Sequence, residues 1–202
     1  MNLLAIDAAS SVLSVAVCHG EEIFHTDAEP GMRHSELIMD LIDTQMKNAC
    51  LAPNDLNGVL CMGGPGSFTG LRIGYSVAKG LALSLSIPFV PIPTLECMAH
   101  AGCGLVMPVI EAGKNSCFYA LFRDGKRLLP DTEAGAEQIA AAIKETPDAH
   151  ILKYENHGYA KYLIEIAKQR NIFGKDNSAH LYLFTGPEYI KKTDAELLKI
   201  RN

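Results

Sequence analysis

The sequence predicts an α/β fold of two lobes, the second a trimmed copy of the first. Three observations predict it. Three closely spaced strand-like runs open the chain. Helix-period and strand-period segments then alternate up to residue 99. A small-residue break, Ala101-Gly102-Cys103-Gly104, is followed by a weaker version of the same order. Three antiparallel strands followed by helix, strand, helix, strand is the order of a ribonuclease-H-like domain, not the strict alternation of a dinucleotide-binding fold. The lobes are expected at residues 1–102 and 103–202.

Each element has its own signal. Leu3-Leu4-Ala5-Ile6 reads as a buried strand, and Asp7-Ala8-Ala9-Ser10-Ser11 as a small-residue turn. Val12–Cys18 is a second strand, and His19-Gly20 turns into a third at Ile23-Phe24-His25. From about Ser35, Leu37, Ile38, Leu41, Ile42 and Met46 recur at helical spacing. Pro53-Asn54-Asp55 breaks the chain before a strand at Val59–Met62. A glycine-rich loop leads into a helix from roughly Thr69 to Ser86, which Pro88 stops. Phe89–Ile92 is a fifth strand and Thr94–Ala99 a short helix.

The second half predicts strands at Val106–Ile110 and Cys117–Phe122, a turn at Asp124-Gly125, and a helix from about Ala134 to Lys144. Ile151-Leu152 reads as a further strand and Tyr159–Gln169 as a further helix. Leu181–Phe184 is expected as a short strand, with an end segment from Pro187.

Composition narrows the function classes. The 202 residues are 48% hydrophobic and 20% charged, which suits a packed core and excludes a disordered chain. No apolar run approaches the roughly 18 residues of a membrane helix. The start, Met1-Asn2-Leu3-Leu4-Ala5-Ile6-Asp7, has no basic region and reads as a strand, so a cytoplasmic location is expected. None of the six cysteines forms a C-x-x-C pair, and most lie in apolar runs, as buried reduced thiols do. Residues 1–100 hold ten acidic against four basic side chains; residues 101–202 hold thirteen against fourteen. An acidic first half is a poor surface for phosphate backbones. Any work on nucleic acid is therefore expected through a partner.

The loop Gly63-Gly64-Pro65-Gly66-Ser67-Phe68-Thr69-Gly70-Leu71-Arg72-Ile73-Gly74 is the most informative stretch. It lacks the lysine of a Walker loop, has the wrong spacing for a dinucleotide fingerprint, and offers no G-x-S-x-G elbow. Three readings stay open. Its amides could hold an anion with help from Arg72. It could be a tight turn with Ser67 or Thr69 capping the helix. It could start a protein contact, because Gly70, Gly74, Ala78 and Ala82 form a small-residue stripe that lets another helix come close. The partner expected for that stripe is the Leu37/Leu41 helix or a helix of another chain, and Gly74→Leu is expected to break the contact while the lobe still folds.

These residues carry a resemblance. Gly64–Gly74 resembles the signature of the TsaB (YeaZ) family. Leu4–Ser10 is similar to that family's opening strand and turn, Arg33-His34-Ser35 to its first helix, and Pro187–Lys191 to its terminal segment. Gly80-Leu81-Ala82 and Pro93-Thr94-Leu95 also fall where the family has them. The resemblance implies the actin-like ATPase fold. It implies a non-catalytic subunit in making N6-threonylcarbamoyladenosine at position 37 of tRNA. The implied partners are a TsaD-like catalytic subunit, paired through first-lobe helices, a TsaE-like ATPase, and a second copy in a homodimer. The tRNA is met only through the complex, with no membrane and no cofactor.

The residues agree with an inactive relative. Thr94 and Met98 stand where the catalytic paralogue is implied to carry two metal-binding histidines. No metal is therefore expected. Ile110-Glu111-Ala112-Gly113-Lys114 has a single glycine where actin-like ATPases carry a second phosphate loop. Asp7, Ser10 and Ser11 are read as a remnant first phosphate loop or, alternatively, a polar hairpin turn. An ATP-binding enzyme, ATPase or kinase, is the alternative, resting on the inferred fold and Asp7. A metallopeptidase is disfavoured, since no two of the seven histidines show H-x-x-x-H spacing.

Overall fold

A computed structural model describes residues 1–31, 33–113, 115–154, 157–174 and 186. The elements in order are β1 (Asn2–Asp7), β2 (Leu13–His19), β3 (Glu22–Ala28), α1 (His34–Asn48), β4 (Gly58–Met62), α2 (Phe68–Leu85), β5 (Phe89–Ile92) and α3 (Thr94–His100). They continue with β6 (Leu105–Glu111), β7 (Ser116–Arg123), β8 (Lys126–Gly135), α4 (Ala136–Glu145), β9 (His150–Lys153) and α5 (Ala160–Gln169). The strand expected at Leu181–Phe184 and the end segment from Pro187 lie outside the described residues.

The first sheet has the order β3-β2-β1-β4-β5. The hairpin-linked β1, β2 and β3 are antiparallel, and β4 and β5 run parallel to β1. This is the ribonuclease-H-like order expected from the sequence. The unbroken apolar run of β1 follows from burial on both faces. Leu4 and Ile6 point into a core shared with Val15, Val59 and Phe89 and covered by α1 and α2. Leu3 and Ala5 point the other way, into a core with Leu60, Met98 and Leu163. Fully burying such a Leu or Ile is worth about 1.5–3 kcal/mol, so both faces hold the sheet in register.

The second sheet has the order β8-β7-β6-β9, with β7 antiparallel to both neighbours and β9 parallel to β6. It repeats the first sheet's order without a fifth strand among the described residues. The long strand β8 was not expected from the sequence. Its residues KRLLPDTEAG do not alternate, and Pro130 sits inside it. An edge strand tolerates both, because only one side pairs. The register also shifts near Tyr119 and Leu121 opposite it.

Helix α5 follows the second sheet in sequence but packs beneath the first. Leu163, Ile164 and Ala167 share one core with Leu3, Ala5 and Leu60, and also with Phe118 and Phe122 of β7. Of the cysteines, Cys18, Cys61 and Cys97 are buried, whereas Cys50 and Cys103 are exposed. Burial pushes the Cys61 and Cys97 thiols well above their usual range.

Candidate functional site: the glycine loop, the α1–α2 face and the Asp7 turn

The glycine loop joins β4 to α2 and is bolted to two other segments by backbone alone. Gly63 N–H donates to Ile92 O at 2.6 Å, Thr94 N–H to Gly64 O at 2.7 Å, and Ser67 N–H to Ala9 O at 2.7 Å. An added Cβ at Gly66 would fall 2.7 Å from Ala9 O, and one at Gly70 would overlap Ala8 O. Gly64 takes a φ of +105°, and the Gly64–Pro65 peptide is cis. Ser67 is the helix cap, its Oγ accepting from Gly70 N–H at 3.2 Å. The amides of Gly63, Ser67 and Gly70 are thus spent inside the chain. The close approach that the glycines permit is to another backbone. Phe68, Thr69 and Arg72 at the head of α2 face outward, and the Arg72 guanidinium lies 3.8 Å from the Phe68 ring centroid.

The stripe Gly70, Gly74, Ala78 and Ala82 is turned to the first sheet, with Ala78 and Ala82 in a core that α1 also enters. All four residues are buried on the first sheet. A Cβ at Gly74 would touch Ala8 Cβ at 3.6 Å and Ile6 Cγ2 at 3.9 Å, and Ala78 and Ala82 are wholly buried among Leu4, Val15 and Val59. The expected helix–helix interface through Gly70, Gly74, Ala78, Ala82, Leu37 and Leu41 is corrected accordingly. Small residues let α2 lie close on the strands, and the buried stripe is not available to a partner. The outward face carries a different set, Arg72, Ser76, Gly80 and Ser84, with nothing within 4 Å of Gly80's missing Cβ. Between α1 and α2 runs an open groove of about 420 Å³, lined by Ile38, Met39, Phe68, Arg72, Ile73 and Val77 among others. Leu37 and Leu41 are half-buried against the α1–α2 side of the core. Met39, Phe68 and Leu83 are 48%, 41% and 60% exposed, a concentration of apolar surface on these two helices.

The Asp7 turn is filled by the chain itself. Asp7 is fully buried; its Oδ1 accepts from Ala9 N–H at 3.0 Å and Tyr154 O–H at 2.7 Å, and its Oδ2 from Tyr159 N–H at 3.0 Å. Burial raises the Asp7 carboxyl above its usual range, outweighing those hydrogen bonds, which act the other way. Burial and the Asp7 charge push the Tyr154 hydroxyl well up, so it stays protonated and donates. Ser10 Oγ closes its own turn with Val12, and Ser11 is exposed. The remnant phosphate loop expected at Asp7, Ser10 and Ser11 is corrected to a structural junction, since every Asp7 oxygen already has a donor. His34 Nε2 lies 3.1 Å from Ser10 O and ties the start of α1 to this turn. Sequence reasoning missed Tyr154, Tyr159 and this role of His34. Tyr154 and Tyr159 stand 147 and 152 residues from Asp7, so no local spacing could reveal them.

Thr94 and Met98 are both wholly buried, Met98 in the core between the sheets. His100 is half-buried against Tyr162, with Nε2 3.5 Å from Glu165. Among the described residues no group of three His, Cys, Asp or Glu side chains is arranged to hold a metal ion. Glu111 is exposed at the end of β6, and Gly113 beside it takes a φ of +126°.

Known proteins match this frame over most of its length. A family model described as TsaD, tRNA N6-adenosine threonylcarbamoyltransferase, matches residues 28–173. The chain is 27% identical over 218 residues to the tRNA threonylcarbamoyladenosine biosynthesis protein TsaB of Haemophilus influenzae, covering 99% of this chain and 91% of that protein. It is 27% identical over 221 residues to the protein of the same description from Bacillus subtilis, covering 97% and 96%. The structure of YeaZ from Pseudomonas aeruginosa superposes with a TM-score of 0.75 at 20% identity, over 94% of this chain and 100% of that one. That likeness fixes the fold.

Proposed function

Because the chain belongs to the TsaB (YeaZ) proteins of the TsaD family, we propose that it is a non-catalytic scaffold subunit in tRNA N6-threonylcarbamoyladenosine synthesis. The observation that carries this is the outward face of α1 and α2. It bears exposed Met39 and Phe68 on an open groove, and exposed Leu83 further along α2. Concentrated apolar exposure on two neighbouring helices suits a helix pair of a partner better than a small ligand. The partner we propose is the TsaD-like catalytic subunit, with a homodimer competing for the same face and a TsaE-like ATPase recruited to the assembled complex. Residues 1–102 would supply the docking lobe and residues 103–202 the smaller one.

An acidic first half leaves tRNA contact to the partner. The buried Thr94 and Met98 leave no ligand pair for metal chemistry at the paralogue's position. An ATP-binding enzyme rests on Asp7, whose oxygens are taken by Ala9, Tyr154 and Tyr159. Size-exclusion chromatography of the chain with its cognate TsaD-like subunit tests the proposal. A single earlier peak holding both chains is expected, and two separate peaks at micromolar concentration would sink it. Calorimetry with ATP and magnesium on the isolated chain is expected to give no micromolar binding.

A further inference from the structure

A polar row crosses the first sheet at one level. Asp7 stands opposite Ser14, and Ser14 opposite Asp27, so β1, β2 and β3 each contribute one polar side chain. Asp7 and Ser14 are buried and Asp27 is exposed at the rim. Ser14 O–H donates to Asp27 Oδ1 at 2.6 Å. The stretch His157–Tyr159, which leads into α5, lies across this row. Gly158 N–H donates to Asp27 Oδ2 at 2.8 Å, and Tyr159 N–H to Asp7 Oδ2 at 3.0 Å. Tyr154, just past β9 of the second sheet, donates its hydroxyl to Asp7 Oδ1. Gly158 sits directly over Ser14: an added Cβ would overlap Ser14 Cβ and Oγ and lie 2.7 Å from Asp27 Oδ1.

We propose that Asp7, Ser14 and Asp27 form a latch that grips Tyr154, Gly158 and Tyr159 and so fixes the angle between the two sheets without any bound ligand. Apolar packing between the lobes is non-directional and allows sliding. Hydrogen bonds to a buried carboxylate are directional. The desolvation of Asp7 is offset only while its donors stay aligned, and an unpaired buried charge is strongly destabilising. The latch is therefore two-state, seated or released, and does not bend continuously. Gly158 is the one residue type that reaches the seat, because Ser14 Cβ is not a side-chain end that can swing away.

Hydrogen exchange and small-angle scattering on the full chain test the latch. Gly158→Ala is expected to raise amide exchange over residues 158–163 by about tenfold or more while β1 and β4 stay protected. The radius of gyration is expected to increase. Ser14→Ala removes the hydrogen bond that holds Asp27 in place without adding bulk and is expected to give a smaller rise of the same pattern. Tyr154→Phe deletes one donor without adding bulk and is expected to give a smaller rise of the same pattern. Wild-type exchange in folded Gly158→Ala, or wild-type exchange in both Ser14→Ala and Tyr154→Phe, overturns the latch. Should Gly158→Ala fail to fold, wild-type exchange and radius in Tyr154→Phe overturn it instead.

Discussion

Asp7 is a carboxylate held where its charge is disfavoured. Its folded carboxyl lies above the usual range because burial outweighs three donors. A group raised in this way contributes stability that is fully present below the unfolded carboxylate range and is lost as pH rises through the folded value. A one-unit displacement is worth about 1.4 kcal/mol. The stability of wild type relative to Asp7→Asn is therefore expected to fall as pH rises above the ordinary carboxylate range, as read by urea midpoints. A difference independent of pH would show that Asp7 titrates as it does unfolded. Glycines divide just as sharply. Gly70→Ala puts a methyl onto Ala8 O and is expected to cost at least about 1–3 kcal/mol. Gly80→Ala meets nothing and is expected to stabilise by up to about 1 kcal/mol, since glycine is a poor helix residue. Thermal denaturation of the two variants checks both signs. That the loop needed glycine was legible in the sequence. What it approached was not, because the backbone of Ala8 and Ala9 comes from another turn entirely.

At the scale of elements, α2 carries two small-residue sets, one turned to the sheet and one to solvent. Spacing by four identified the set Gly70, Gly74, Ala78 and Ala82, but a stripe of small residues looks the same whether it meets strands or a helix. Gly74→Leu is now expected to destabilise the first lobe by overpacking against Ala8 and Ile6, with association lost only as a consequence. Phe68→Ser and Leu83→Ser are expected to abolish partner binding while the chain stays folded, with a stability cost of no more than about 1 kcal/mol. Binding titrations alongside denaturation separate the two outcomes; a Leu83→Ser chain that binds normally would move the interface off this end of the helix. The helices and the two-sided strands were legible because their periodicity follows burial. Strand β8 was not, because an edge with charged residues and Pro130 obeys pairing and not pattern.

For the whole molecule, the decisive feature is that α5 and Tyr154 tie the last described part of the chain to the first strand. The strand order within each sheet could be read from local signals. The junction between the sheets could not, since it joins residues more than a hundred positions apart. A fragment ending at residue 102 lacks α5 and leaves one face of the first sheet, including Leu3, Ala5 and Leu60, without that cover. It is expected to be insoluble or dimeric when expressed alone, and a soluble monomeric fragment with dispersed amide resonances would contradict this.

The return of α5 also sets a timetable for synthesis. At about 5–20 residues per second, the ribosome needs on the order of 3–14 s to extend from the end of β5 to the start of α5. Through that interval the nascent first sheet exposes an apolar face whose cover has not yet been made. The growing chain is therefore expected to present a surface that a holding chaperone could bind during a defined window, one that closes when α5 leaves the exit tunnel.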